Sequence, residues 1–138
     1  MSKPATVLYV EDEENDALLM QFAFREAGLR HTLKIVGNGQ QAIEYLSGNS
    51  GFADREAFPL PDLVLLDLNL PRVPGMKVLE WIRQQPQFRT LPVVVYTSSG
   101  QPRDWETARR LRASDFIVKA SDYGEIIQVA KAIASRWL

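Results

Sequence analysis

Cysteine is absent from this chain, and histidine occurs once, at position 31. Thiol catalysis, disulfide staples and Cys-based zinc sites are therefore excluded. No stretch approaches the roughly 18 uninterrupted apolar residues of a membrane span, and Met1–Pro4 lacks the apolar core of a signal peptide, so the expected setting is soluble and cytoplasmic, with no membrane partner. A surplus of charge is also missing. Sixteen Lys and Arg stand against 17 Asp and Glu, a net of −1, which gives too little field to draw a polyanion and no support for nucleic-acid binding. Repeats and low-complexity tracts are absent as well. What remains is a chain of 138 residues, enough for one domain that buries about two-thirds of its unfolded surface, with nothing left over for an output domain.

Four short apolar runs stand out, because each stops at a residue capable of phosphate or metal chemistry. Val7-Leu8-Tyr9-Val10 ends at Glu11-Asp12, Leu63-Val64-Leu65-Leu66 at Asp67, Val93-Val94-Val95-Tyr96 at Thr97-Ser98, and Phe116-Ile117-Val118 at Lys119. Such runs read as strands buried on both faces, and helical patterns lie between them. An α/β fold with a parallel sheet follows. In that architecture the crevice beyond the carboxyl ends of the strands is where ligands bind, so all four polar ends are delivered to one edge.

The intervening segments supply the helices. Asn15 or Asp16 is expected to cap the first, with Leu18, Leu19, Phe22, Ala23 and Ala27 inward and Gly28 closing it. His31–Val36 alternates as an edge strand remote from the site, which makes His31 a surface residue and not a relay histidine. A second helix covers Gly39–Ser47, and Gly48–Pro61 is a surface excursion too short for a second domain. Leu70–Gly75 turns the chain into a third helix with Val78, Leu79 and Ile82 inward. Pro102 opens a fourth, with Trp105, Ala108 and Leu111 inward. Asp122, with Glu125 as capping partner, starts a fifth that buries Ile126, Val129, Ala130 and Ile133.

Glu11, Asp12 and Asp67 would bring three carboxylates together with Lys119 as the one basic partner at a strand end. Two like charges about 4 Å apart repel by roughly 4 kcal/mol at an effective dielectric near 20, so the cluster calls for a cation. Oxygen donors in this number suit Mg²⁺, which keeps several waters, better than an all-protein Ca²⁺ cage. Asp67, ending the central run, is the best nucleophile, and a carboxylate that attacks phosphorus makes an acyl phosphate. Thr97 and Lys119 could neutralise the transferring oxygens. Each alone would read as a turn residue or a surface charge; only the shared edge makes them count.

The acidic pair Glu11-Asp12, Asp67-Leu68-Asn69-Leu70-Pro71 with Gly75, Val94-Val95-Tyr96-Thr97-Ser98 and Ile117-Val118-Lys119 together resemble the receiver domains of two-component response regulators. The likeness spans essentially the whole chain. It implies a flavodoxin-like (βα)5 three-layer sandwich with strand order 2-1-3-4-5. It further implies a phosphoacceptor signalling protein and not an enzyme with a separate substrate, with Asp67 phosphorylated by a sensor histidine kinase. Mg²⁺ would be bound by Asp12 and Asp67 side chains, by the Asn69 carbonyl, and by Glu11 through water. Lys119 would pair with the phosphoryl group, Thr97 would swing toward it, Phe116 would repack in concert, and the phospho-aspartate would then hydrolyse. The long Gly48–Pro61 loop is similar to that of the single-domain regulators serving phytochrome-type kinases.

Two departures and three rivals bear on this expectation. Ala120 follows the lysine where the family often has proline, and a cis bond there would cost about 3 kcal/mol. Phe116 replaces the frequent tyrosine, so packing alone must carry its signal. Trp105, Phe116, Tyr123 and Trp137 offer a docking or homodimer surface by which a signal could leave. A flavodoxin would need a phosphate loop where Glu11–Glu14 would repel FMN, and an aspartyl-phosphate hydrolase would need an acid where Asn69 stands. A pseudo-receiver, binding partners without phosphorylation, is the serious alternative.

Overall fold

The computed structural model describes residues 4–138. Five strands, β1 (Thr6–Val10), β2 (Thr32–Val36), β3 (Leu63–Leu66), β4 (Val93–Thr97) and β5 (Asp115–Val118), alternate with five helices. The helices are α1 (Glu14–Glu26), α2 (Gly39–Ser47), α3 (Gly75–Gln84), α4 (Pro102–Arg110) and α5 (Tyr123–Trp137), with a single 3-10 turn at Pro86–Phe88. All strand pairs are parallel, in the order β2-β1-β3-β4-β5. This is the flavodoxin-like sandwich expected.

Alternation along the strands divides the core in two. Leu8, Val10, Val64, Leu66, Val93 and Val95 face α2, α3 and α4, while Val7, Tyr9, Leu63, Leu65, Val94 and Tyr96 face α1 and α5. β1, β3 and β4 are buried on both faces; β2 and β5 are partly wet edges. Every peptide bond among the described residues is trans, Lys119–Ala120 included.

Three expectations need correction. The N-cap of α1 is Glu13, without a side-chain cap, so neither Asn15 nor Asp16 caps it. Its inward face is Ala17, Met20, Ala23 and Phe24, and Leu18 and Phe22 are exposed. The phase slips because small Ala17 and Ala23 let the helix sit close to the sheet, while Arg25 stacks on Phe22 outside, 5.9 Å from the ring centre. Trp105 is 49% exposed, leaving Ala108 as the buried contact of α4.

The Gly48–Pro61 segment is better ordered than its lack of period suggested. Phe52 and Phe58 pack on buried Tyr45, whose hydroxyl donates to Pro59 O at 2.8 Å. The Arg55 guanidinium donates to Tyr45 O, Leu46 O and Phe58 O at 2.9, 3.0 and 3.2 Å. A loop stitched by its own side chains results. His31, expected on the surface, is half-buried, and its Nδ1 accepts the Ala5 N–H at 2.8 Å, at the sheet edge opposite the polar strand ends.

Candidate functional site

The sheet ladder continues one residue past three of the strands. Glu11 N–H donates to Val36 O at 3.0 Å, Asp67 N–H to Val10 O at 3.2 Å, and Lys119 N–H to Thr97 O at 2.7 Å. Glu11, Asp67 and Lys119 are therefore held as firmly as strand residues. By strand parity they project on the α1/α5 side, where their side chains meet.

Lys119 is the hub. Its Nζ lies 2.7 Å from Glu11 Oε1, 2.7 Å from Asp16 Oδ2 and 3.0 Å from Asp67 Oδ2. Burial alone would lower the lysine, but its hydrogen bonds to Asp16, Glu11 and Asp67 outweigh that and hold the ammonium above its ordinary 10.5. Burial raises Glu11 above 4.5, Asp67's charge adds to the rise, and Lys119 only partly opposes it. One ammonium shared among several acids cannot neutralise them. Tyr9, two residues before Glu11 on the same face, donates its hydroxyl to Glu11 Oε1 at 3.1 Å; burial foremost and then that carboxylate push the phenol up, keeping it a donor.

Asp12, exposed, completes a trio with buried Glu11 and Asp67, one oxygen from each lying within 4.8 Å of the others. Hard oxygen donors, an excess of negative charge and an open side at Asp12 fit a hydrated divalent cation. Asn69 N–H donates to Asp67 Oδ1 at 3.2 Å and braces that carboxylate. Behind it Gly75 packs so closely that a Cβ there would run into Asp67 O and Leu68 Cα.

Thr97 lies elsewhere in this arrangement. It is fully buried at the end of β4, shares strand parity with Val93 and Val95, and its hydroxyl accepts the Ser99 N–H at 3.4 Å. Ser99 Oγ in turn donates to Asp104 at the start of α4. Phe116 is half-buried on the same side of the sheet, packed against the core under α4. The structure thus brings Glu11, Asp12, Asp67 and Lys119 together, and sets Thr97 and Phe116 on the neighbouring α4 side.

Against known proteins, the family model for the response regulator receiver domain matches residues 7–131. This chain belongs to the response regulator receiver family. Response regulator Rcp1 of Synechocystis sp. is 33% identical over 135 residues, covering 98% of this chain and 90% of the relative. The crystal structure of the phosphorylated cyanobacterial phytochrome response regulator RcpA superposes with a TM-score of 0.90 at 31% identity, covering 98% and 94% of the two chains. The Mn²⁺-bound form of Rcp1 does so at 0.86 and 32%, covering 98% and 95%. No helix among the described residues of this receiver is long and apolar enough to cross a membrane.

Two residues of the receiver's site escaped the sequence reading. Tyr9 could have been found, since a buried tyrosine needs a partner for its hydroxyl and Glu11 stands two residues on. Asp16 gave a fainter signal: one more acid at the crowded strand edge, read only as a helix cap.

Proposed function

We propose that this chain acts as a stand-alone response regulator whose Asp67 takes a phosphoryl group from the phosphohistidine of a sensor histidine kinase. The observation that carries this reading is the position of Asp67: rigid at the central strand end, with Lys119 at 3.0 Å and the Glu11 and Asp12 oxygens alongside. An Asp67 oxygen attacks phosphorus, the N–P bond breaks, and its electron pair stays on the imidazole nitrogen, leaving an acyl phosphate. Mg²⁺, held by Glu11, Asp12, Asp67 and the Asn69 carbonyl, would supply positive charge against the phosphoryl oxygens. Lys119 adds a second positive charge beside Asp67. Water attack on phosphorus later frees the Asp67 carboxylate and resets the protein.

The reading extends to the output. A Thr97 hydroxyl drawn to the phosphoryl group abandons the Ser99 N–H and loosens the Ser99–Asp104 contact with α4. Phe116, beside that strand, then repacks, and the surface of α4, β5 and α5 changes. A cleft of about 180 Å³ bounded by Trp105, Ala108 and Phe116 lies there, and exposed Trp105 suits it to a downstream protein or a second copy of the chain. Likeness to RcpA, a phytochrome response regulator, supports a phytochrome-type kinase as donor.

Incubation with acetyl phosphate and Mg²⁺ tests the proposal. Intact-mass measurement should show one added phosphoryl group, absent with EDTA and absent in Asp67→Asn. No adduct on the wild-type chain would overturn the phosphoacceptor reading in favour of a pseudo-receiver. Phosphotransfer from purified phytochrome-type kinases then tests the partner.

A further inference from the structure

The three carboxylates on Lys119 differ in what else they can do. Glu11 and Asp67 belong to the acidic trio able to grip a cation; Asp16 does not. Glu11 and Asp67 are reached from strand ends and their side chains are 0% and 5% exposed, whereas Asp16 sits in the first turn of α1 and is 35% exposed. Its backbone is pinned, because Ala17 beside it is buried under the sheet. A carboxylate in a first turn also faces the favourable end of the helix dipole.

The lysine has three N–H donors, enough for one to each acid. A divalent cation on the trio would draw on the oxygens of Glu11 and Asp67 that the ammonium now uses. Lysine and metal then compete, unless the lysine has a partner of its own. Asp16 is that partner, at 2.7 Å.

We propose that Asp16 is the positioning residue of Lys119: it retains the ammonium at the site's rim while Glu11 and Asp67 turn to a divalent cation, and so leaves it beside Asp67 for an incoming phosphoryl oxygen. Without Asp16 the lysine stays on the oxygens of Glu11 and Asp67 and competes with the metal for them. The phosphoryl half rests on the phosphoacceptor reading; the metal half rests on the trio and the 2.7 Å contact.

A double-mutant cycle on Mn²⁺ binding, read by water-proton relaxation in high salt to screen simple charge effects, separates these roles. Asp16→Ala should weaken Mn²⁺ about tenfold with Lys119 present and by no more than about twofold in a Lys119→Met background, and Asp16→Glu should restore most of the loss. An equal loss in both backgrounds would make Asp16 a mere charge and overturn the proposal, as would no loss in either. With saturating Mg²⁺ and acetyl phosphate, Asp16→Ala should also label about tenfold more slowly, with Glu again rescuing. Failure of the wild type to label defeats the phosphoacceptor reading while the Mn²⁺ cycle still decides the role of Asp16.

Discussion

Lys119→Met removes the cation on which the site is built and keeps a side chain of similar reach. The lysine side chain is 13% exposed, against 0% for Glu11 and 5% for Asp67, so solvent can do little to replace it. Removing one partner of a buried pair costs about 3–5 kcal/mol. The Asp16 contact, a third exposed, adds little. Glu11 recovers part of the loss by taking up a proton, since burial already raises it above 4.5, so a deficit of about 3 kcal/mol is expected at neutral pH without metal. With a urea slope of roughly 1.5 kcal/mol per molar, the midpoint falls by about 2 M. Two conditions should repair it. Mg²⁺ on the acidic trio would bind the folded state only, and should bind the variant more tightly than the wild type because no ammonium competes. Acid should help through Glu11: a carboxyl raised in the folded state contributes stability that is present below its unfolded value and is lost as pH rises through the folded one. Urea melts near pH 5 and pH 7.5, each with EDTA and with Mg²⁺, make the measurement. A neutral-pH deficit under about 1 kcal/mol, or one that Mg²⁺ leaves untouched, would refute the reasoning.

Other perturbations follow from single contacts. Asp67→Asn keeps the shape and removes one charge from an acidic crowd, so it should melt a few degrees higher, by about 2–4 °C per kcal/mol relieved, and take no phosphoryl label; a lower melting temperature would mean that its bond to Lys119 outweighs the repulsion. Gly75→Ala forces a Cβ against Asp67 O, in backbone that cannot rotate away, and should cost about 2–3 kcal/mol in thermal unfolding while weakening Mn²⁺ binding; a wild-type melt would show that the loop yields. Arg55→Met strips donors from Tyr45 O, Leu46 O and Phe58 O and should hasten chymotryptic cutting after Phe52 by about tenfold; unchanged cutting would show that the loop holds without Arg55.

What was legible in the sequence depended on how local its cause was. A strand buried on both faces must be apolar at every position, so Leu63–Leu66 and Val93–Val95 declared themselves, and so did the acid or hydroxyl that ended each. Asp122, accepting the Glu125 N–H, likewise acts within one turn. The buried face of α1 is set by fit and not by bulk: Leu18 and Phe22 are larger than Ala17 and Ala23, yet close approach of helix to sheet selects the small residues. The Gly48–Pro61 loop has no period to read, since Arg55 binds carbonyls at irregular spacings. Asp16 shows the limit most clearly. Its partner lies 103 residues away, and nothing within either segment marks the pairing. Only the parallel sheet, which sends the turn into α1 and the end of β5 to one edge, brings them within 2.7 Å. Charge counting narrows that gap. Once Glu11, Asp12 and Asp67 are placed on one edge with a single lysine, any further acid in a first turn on that edge must either repel them or share their cation. Asp16 shares it, which ties the start of α1 to the end of β5 through the same ammonium that faces Asp67. A perturbation at Asp67 therefore has a contiguous path to α1, through Lys119 and Asp16.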